Sequence, residues 1–318
     1  MARVPLGRLP RGGLAVSDDL NGKRVLVTGA SSGIGYCLAQ AFATEGCELA
    51  LVARRRNRLD ALADRISSSG RRRPLVVPAD LSSRGEAARA AREAIEALGP
   101  IDVLVNNAGS AVGGSVWAVA DRDEARADFE VDFWSPLALI GHIVPGMRRR
   151  GEGTVVNVTS LRQAFAWPSF GHNTAAQAAL ALITETLRLE LLRFGVHVIE
   201  VIPGPIDTAA QGPTGLIPGI VEAVHGRLGV AEPEEIASMI VDAVRHGRDR
   251  VFCPEETTRA AYENPIKLRK QIAEDVTRVY AQSPLPGEVI DHLVIGADHP
   301  LIVQARERWE TEHATRVS

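Results

Sequence analysis

Residues 24–35, RVLVTGASSGIG, constrain this chain more than any other stretch. Val25, Leu26 and Val27 form an unbroken apolar run of the kind that fills a central strand of a parallel sheet, buried on both faces. Gly29, Gly33 and Gly35 then mark a turn, and a helix is predicted from Ile34 to about Glu45. A glycine-rich strand-to-helix turn lets backbone N–H groups approach a pyrophosphate, and the helix N-terminus favours its negative charge. The spacing is G-x-x-x-G-x-G, not G-x-G-x-x-G, so taken alone the turn is equally well read as a tight structural corner.

Beyond it, apolar runs alternate with helical segments along the 318 residues. This pattern predicts an α/β fold, a doubly wound, Rossmann-like parallel sheet flanked by helices. Further strands are expected at Glu48–Ala53, Leu75–Val77, Ile101–Val105, Thr154–Val158, Val196–Ile202 and Arg250–Cys253. Helices are expected at Arg58–Ser67, Glu86–Leu98, Ala125–Arg149, Gly171–Phe194 and Pro233–Arg245. Pro233 falls in a first helical turn, where its missing N–H is not needed. The chain divides into a flexible arm over 1–20, the sheet domain over 21–253 and a helical C-terminal extension over 254–318. The extension carries a polar helix around Arg259–Val279, a turn at Ser283–Gly287 and a last helix near Ile302–His313. It is expected beside the substrate entrance or against a neighbouring subunit.

The net charge of −3 gives no reason to expect a nucleic acid or an acidic membrane as partner. No apolar run reaches the length of a membrane span. Cys37, Cys47 and Cys253 show no C-x-x-C spacing, which argues for free thiols in a reducing compartment and against a structural zinc. The first twenty residues hold Arg3, Arg8 and Arg11 without an apolar core, unlike a signal peptide. A cytoplasmic location is the resulting expectation.

The strand ends carry the candidate chemistry. The second strand runs into Arg54, Arg55 and Arg56. A carboxylate there would hold the ribose 2′-hydroxyl of NAD, whereas arginine accommodates the 2′-phosphate of NADP, so NADP(H) is the expected cofactor. The bland alternative is a solvated helix start. Asp80-Leu81 follows the third strand, Asn106-Asn107-Ala108-Gly109 the fourth, and Pro203-Gly204-Pro205-Ile206-Asp207-Thr208 the sixth. Asn and Gly at a strand's carboxyl end suit a ligand crevice, although a plain turn uses them too.

With these motifs in one order, the chain from about Leu20 to Cys253 resembles the short-chain dehydrogenase/reductase family. Thr28-Gly29-Ala30-Ser31-Ser32-Gly33-Ile34-Gly35 is similar to that family's cofactor turn. Asp80-Leu81 resembles its adenine-contacting pair, Asn106-Asn107-Ala108-Gly109 its central-strand motif, and Pro203-Gly204 with Thr208 its nicotinamide-contacting loop. The resemblance implies a seven-stranded parallel sheet, a bound nicotinamide dinucleotide, and a homodimer or homotetramer built through the two long central helices.

The resemblance breaks at the chemistry. It implies a catalytic set of Asn, Ser, Tyr and Lys, with Tyr as proton donor. Ser160 fits the serine position. The Tyr and Lys positions, four residues apart on one helical face, hold Asn173 and Gln177, and the Asn position holds Asp132. No register shift supplies the missing pair, because Tyr36 and Tyr262 are successive tyrosines and Lys23 and Lys267 successive lysines. An Asn amide donates a hydrogen bond but delivers no proton, and losing a positioned general acid typically costs about 10²–10⁴-fold in rate. Gln177 retains hydrogen-bonding capacity toward ribose hydroxyls. The expected site is more negative than the family's. Asp132, if buried, and His172 are the titratable candidates for acid or base; an ordinary helix hydrogen bond and a capping role explain them equally well.

Three functions remain open at this stage. The first is an NADP(H)-dependent oxidoreductase acting on a carbonyl or alcohol with a non-standard proton donor. The second is a non-redox isomerase, cyclase, dehydratase or decarboxylase using Asp132 or His172. The third is a cofactor-binding protein without catalysis. A substrate lid is expected over 209–228, where Leu216, Ile217, Ile220 and Val221 are apolar, with Trp134, Phe165, Trp167 and Phe170 as further walls. They suggest a hydrophobic, polycyclic or acyl small molecule.

Overall fold

A computed structural model describes residues 19–110, 112–208 and 220–282. Its centre is a seven-stranded, wholly parallel sheet in the order β3-β2-β1-β4-β5-β6-β7. The elements run β1 (Arg24–Thr28), α1 (Gly33–Thr44), β2 (Glu48–Ala53), α2 (Arg56–Ser68), β3 (Leu75–Pro78), α3 (Glu86–Leu98) and β4 (Val103–Asn106). A short α4 (Val116–Val119), then α5 (Asp123–Phe129), a π-helical segment (Glu130–Trp134) and α6 (Ser135–Arg150) lead to β5 (Gly153–Val158). A 3₁₀ turn (Leu161–Ala164), α7 (Gly171–Leu191) and β6 (Val196–Pro203) follow. Last come α8 (Ile220–Leu228), α9 (Pro233–His246), β7 (Arg250–Cys253), α10 (Glu255–Glu263) and α11 (Pro265–Gln282).

The two-residue period of a strand explains the layers. Val25 and Val27 of β1 point into a core shared with α1, α2 and α9. Leu26 between them points into the opposite core, with the alanines of α3 and Leu139, Ile143 and Met147 of α6. Strand order reverses at β1, which is flanked by β2 and β4. The crevice at the carboxyl ends of β1 and β4 is therefore the expected ligand position of this topology. Glu200, buried in the middle of β6, is held by Arg250 Nε and Gln163 Nε2, each 3.1 Å away.

Some expectations need correction. The long helix expected over Ala125–Arg149 is not uniform: a π segment at Glu130–Trp134 interrupts it. Such widened turns occur mostly as single inserts, frequently at functional sites. The polar tail helix is two helices. Pro265 lacks an N–H and forces Asn264 out of helical geometry, to φ −122° and ψ 59°. Leu20 is not part of a loose arm: it is buried, and its carbonyl accepts from Lys23 N at 3.0 Å. Of the expected lid, residues 220–228 form α8; positions 209–219, the rest of the arm (1–18), the Ser283–Gly287 turn and the 302–313 helix lie outside the described residues.

The extension packs beside the crevice. Leu268 and Ile272 of α11 share a buried cluster with Leu161, Phe165, Val224, Leu228 and Phe252, and Arg269 Nε donates to Ala164 O at 2.9 Å. The three cysteines are buried and free; burial pushes the Cys47 and Cys253 thiols up to about 12. Among the described residues, no helix is long and apolar enough to cross a membrane. No group of three or more His, Cys, Asp or Glu there is placed to hold a metal.

Candidate active site

The glycine turn is fixed by close packing as well as by backbone shape. Gly29 sits at φ +70°, and a Cβ there would lie 2.8 Å from Asn107 Nδ2. A Cβ on Gly35 would lie 2.4 Å from Gly29 O and 2.5 Å from Asn107 Nδ2. Thr28 Oγ1 accepts from Asn107 N and Ala108 N, both at 2.9 Å, and Asn107 Nδ2 donates to Thr28 O at 2.9 Å. The amide of Asn107, read from the sequence as facing a ligand, is thus engaged with the turn. Asp80 closes a turn of its own, accepting from Ser82 N and Oγ, while Leu81 is buried and its carbonyl accepts from Ser135 Oγ at 2.8 Å.

The α1 N-terminus points into the crevice. Ser32 occupies the N-cap but makes no side-chain cap hydrogen bond, which leaves first-turn N–H groups for another acceptor. Of the three arginines after β2, Arg55 folds over the turn: its Nη2 lies 2.9 Å from both Ser31 Oγ and Ser32 Oγ. Arg54 and Arg56 are exposed. On the other wall Gly204 N donates to Cys253 O at 2.7 Å, Ile206 is buried and bridges Ala231, and Thr208 approaches Gly33. Motifs some 170 residues apart in sequence thus meet around one helix end.

At the other end of the crevice the candidate residues form a single buried network. Asn173, near the start of α7, donates through Nδ2 to Asp132 Oδ2 at 2.6 Å and to Ser110 O at 2.7 Å. Asp132, in the π segment, also accepts from Ser110 N at 3.0 Å. Gln177 stands one turn further along α7, buried, with Oε1 unpartnered. Ser160, at the end of β5, caps the 3₁₀ turn by accepting from Arg162 N at 3.2 Å. His172 Nε2 donates to Ala120 O at 2.9 Å, which ties α7 to the turn after α4 and places the ring at the outer edge of the network.

Two members were missed by the sequence reading. Arg162 enters from the 3₁₀ turn and donates through Nη1 to Asn173 Oδ1 at 3.0 Å. Its guanidinium lies over the Phe170 and Trp167 rings, at 5.2 and 5.9 Å. Asp128 is fully buried in α5, one turn before Asp132, beside Ser110 and Val112. The expectation of a more negative site is therefore incomplete: a second acid is present, and a cation is too. The signal for Arg162 was its place as the lone charge in an apolar and aromatic run, Leu161–Phe170. For Asp128 it was the four-residue spacing to Asp132.

Burial governs the titration. It pushes the Asp132 carboxyl well above the ordinary carboxylate range, aided by the charge of Asp128 and opposed by Ser110 N, Gln177 and Arg162. Burial raises Asp128 to about 6 against the pull of Ser110, Val112, Arg162 and His172. Burial lowers the Arg162 guanidinium, and both acids oppose that shift. Burial thus favours the protonated form at both carboxyls.

A cleft opens on the Ser160 and Arg162 side. Phe165, Trp167, Pro203, Pro205, Val224 and Leu228 form its apolar walls. Of the aromatic residues expected there, Phe170 is buried beneath Arg162. Trp134 is exposed and meets Phe133 edge to face, away from this lining.

This sheet order, this turn and this crevice define a dinucleotide-binding α/β protein, and the comparisons specify it. The family model for short chain dehydrogenase matches residues 23–215; the chain belongs to the short-chain dehydrogenase/reductase family. It is 33% identical over 251 residues to a dehydrogenase/reductase SDR family protein 7-like of Anopheles gambiae, covering 76% of this chain and 78% of that one. It is 35% identical over 205 residues to a fatty acyl-CoA reductase of Mycobacterium tuberculosis, covering 64% and 69%. A crystal structure from Beutenbergia cavernae, described as an NAD(P)-dependent gluconate 5-dehydrogenase with bound NADP, superposes with a TM-score of 0.68 at 26% identity. The match covers 74% of this chain and 96% of that one.

Proposed function

We propose that this protein is an NADP(H)-dependent oxidoreductase acting on a carbonyl or alcohol of a hydrophobic small molecule, with Asp132 in place of the family's tyrosine as keeper of the proton. The observation that carries the cofactor half is Arg55 seated on Ser31 and Ser32 at the turn, with no carboxylate at the end of β2. A 2′-phosphate fits that charge, and a bare ribose does not require it. Two further features suit the cofactor: the uncapped amides of α1, and the unpartnered Gln177 Oε1, an acceptor for a ribose hydroxyl. Gly29, Ser31, Ser32, Gly33, Ile34, Gly35, Arg55, Asp80, Leu81, Ala108, Gly109, Gln177, Pro203, Gly204, Ile206 and Thr208 would line the bound molecule. Arg54 and Asn107 would act less directly, one from solvent and the other through the turn.

When bound, the nicotinamide supplies or accepts a hydride. The chain's own residues do the rest. Ser160 offers its hydroxyl to the substrate oxygen. Asp132 and Asp128 hold a proton out of water, and Asn173 braces Asp132 against Arg162. His172 orients the start of α7. The apolar cleft and the fatty acyl-CoA reductase among the relatives support an acyl or similarly apolar substrate. Exposed Leu182 and Leu189 on α7 support assembly of copies through that helix.

A second reading, acid–base chemistry without hydride transfer, is favoured by one observation. Asn173 Nδ2 already serves two acceptors, so nothing at the tyrosine position donates to substrate. Fluorescence titration with NADPH and NADH, followed by turnover assays on medium-chain ketones and alcohols, separates the readings. Preference for NADPH with consumption of cofactor supports the oxidoreductase. NADPH binding with substrate conversion and no cofactor consumption supports the second reading. Equal affinity, or preference for NADH, removes the Arg55 argument.

A further inference from the structure

Arg162 is a half-buried cation in an apolar cleft. Its single hydrogen bond from the guanidinium, among the described residues, goes to a neutral acceptor, Asn173 Oδ1. Half-buried Arg24, Arg150 and Arg250 meet a carboxylate directly, on Asp102 and Glu200, whereas half-buried Arg188 spends its donors on the backbone carbonyls of Val198 and Asp249. Arg162 forms no such ion pair among the described residues; Asp132 lies on the far side of the Asn173 amide, which bridges the two. A guanidinium carries five N–H donors in a planar fork that matches a carboxylate. Here one is engaged, the aromatic rings of Phe170 and Trp167 flank the group, and Arg162 lines the cleft. The buried acids Asp132 and Asp128 act on this guanidinium without hydrogen-bonding it, so an anion in the cleft can still form a charge-assisted hydrogen bond to it.

Ser160 completes the head of the cleft. Its Oγ accepts from Arg162 N, which leaves its hydroxyl hydrogen to donate. From there the walls are apolar: Phe165 and Trp167 on one side, Val224 and Leu228 on the other. A cationic fork and a hydroxyl at one end of an apolar slot select an elongated apolar molecule with an anionic head.

We propose that Arg162 is the substrate-anchoring residue of this cleft and that the ligand is an apolar carboxylate, its carboxyl group on the Arg162 guanidinium and its hydrocarbon body against Phe165, Trp167, Val224 and Leu228, with the Ser160 hydroxyl left for the reacting oxygen. The inference rests on the reading of this cleft as the substrate site. It requires neither hydride transfer nor a particular cofactor.

The test is isothermal titration of the full chain with decanoate, decanamide and 2-undecanone, with and without saturating NADPH. Decanoate is expected to bind, and the amide and the ketone about 10- to 100-fold more weakly, the range of a hydrogen bond to a charged group. Arg162→Gln should weaken decanoate by the same factor and leave decanamide unchanged. Arg162→Lys keeps the charge and loses the fork, so it should fall between wild type and Arg162→Gln. It also serves as the folded control if Arg162→Gln loses its thermal transition. Equal affinity for decanoate and decanamide, or undiminished decanoate binding in both variants, overturns the proposal. Decanoate binding without NADPH binding would leave this inference standing and remove the oxidoreductase reading. NADPH binding with no preference for the carboxylate would do the reverse.

Discussion

The two ends of the crevice are built by different physical means. Around Thr28–Gly35 the determinants are backbone shape and close packing. Gly29 and Gly35 leave no room for a Cβ, and Thr28 and Asn107 lock two loops together. Around Ser160–Gln177 the determinants are side chains that contact one another: Asn173 between Asp132 and Arg162, and Asp128 beneath them. The first construction leaves almost no room for substitution at its glycines. The second depends on which polar side chains stand at its positions. A short-chain dehydrogenase/reductase fold therefore specifies a dinucleotide crevice more firmly than it specifies a proton donor.

The largest expected effect breaks the first end. Gly35→Ala places a methyl 2.4 Å from Gly29 O, a backbone atom that cannot yield cheaply. Loss of about 3 kcal/mol or more is expected in thermal or urea unfolding, the upper range for overpacking. Wild-type stability in this variant would mean that the turn is looser than its geometry.

The next effect is on the acid pair and has a sign that depends on pH. The folded-state pKa of Asp128 is raised to about 6 from 3.8. Its proton is bound more tightly in the folded chain, so its contribution to stability is fully present below about 4, falls between about 4 and 6, and is lost above. Asp128→Asn removes this fall. At pH 7.5 it should gain up to about 3 kcal/mol over wild type, with the gain vanishing near pH 4. A pH-independent difference would contradict the raised carboxyl.

Smaller effects sharpen the cofactor end. Arg55→Ala should weaken NADPH by about 10- to 100-fold, as for loss of hydrogen bonds to a charged group, and leave NADH unchanged. Arg54→Ala, a change at an exposed side chain, should shift NADPH affinity by less than about threefold, the worth of a surface charge. If Arg54 proved the stronger of the two, the 2′-phosphate would lie outside the turn and not over Ser31.

How much was legible in the sequence follows the same division. The strand–turn–helix pattern and four motifs in order predicted the sheet, because burial on both faces of a parallel strand leaves an unmistakable apolar run. Ser160, Asp132, Asn173 and Gln177 were legible through the family resemblance, and the structure brings them to one end of the crevice. Arg162 and Asp128 were not. Their significance comes from a meeting between the 3₁₀ turn, α5, the π segment and α7, at which the lone charge in the Leu161–Phe170 run and the Asp128–Asp132 spacing only hint. The break at Asn264–Pro265 was readable from proline chemistry, whereas the π segment has no residue that dictates it. Arg55 rather than Arg54 turns inward because Arg55 is the N-cap of α2 and faces Ser31, a matter of backbone direction at the strand end.

The most direct measurement of the central claim is Asp132→Asn, assayed in parallel for turnover and for NADPH affinity. The amide keeps the shape and removes the proton. Turnover should fall at least about 100-fold, the scale of a lost general acid, with the NADPH dissociation constant unchanged within about twofold. Full turnover would contradict the role given to Asp132, and joint loss of turnover and NADPH binding would show that the two ends of the crevice are not separable.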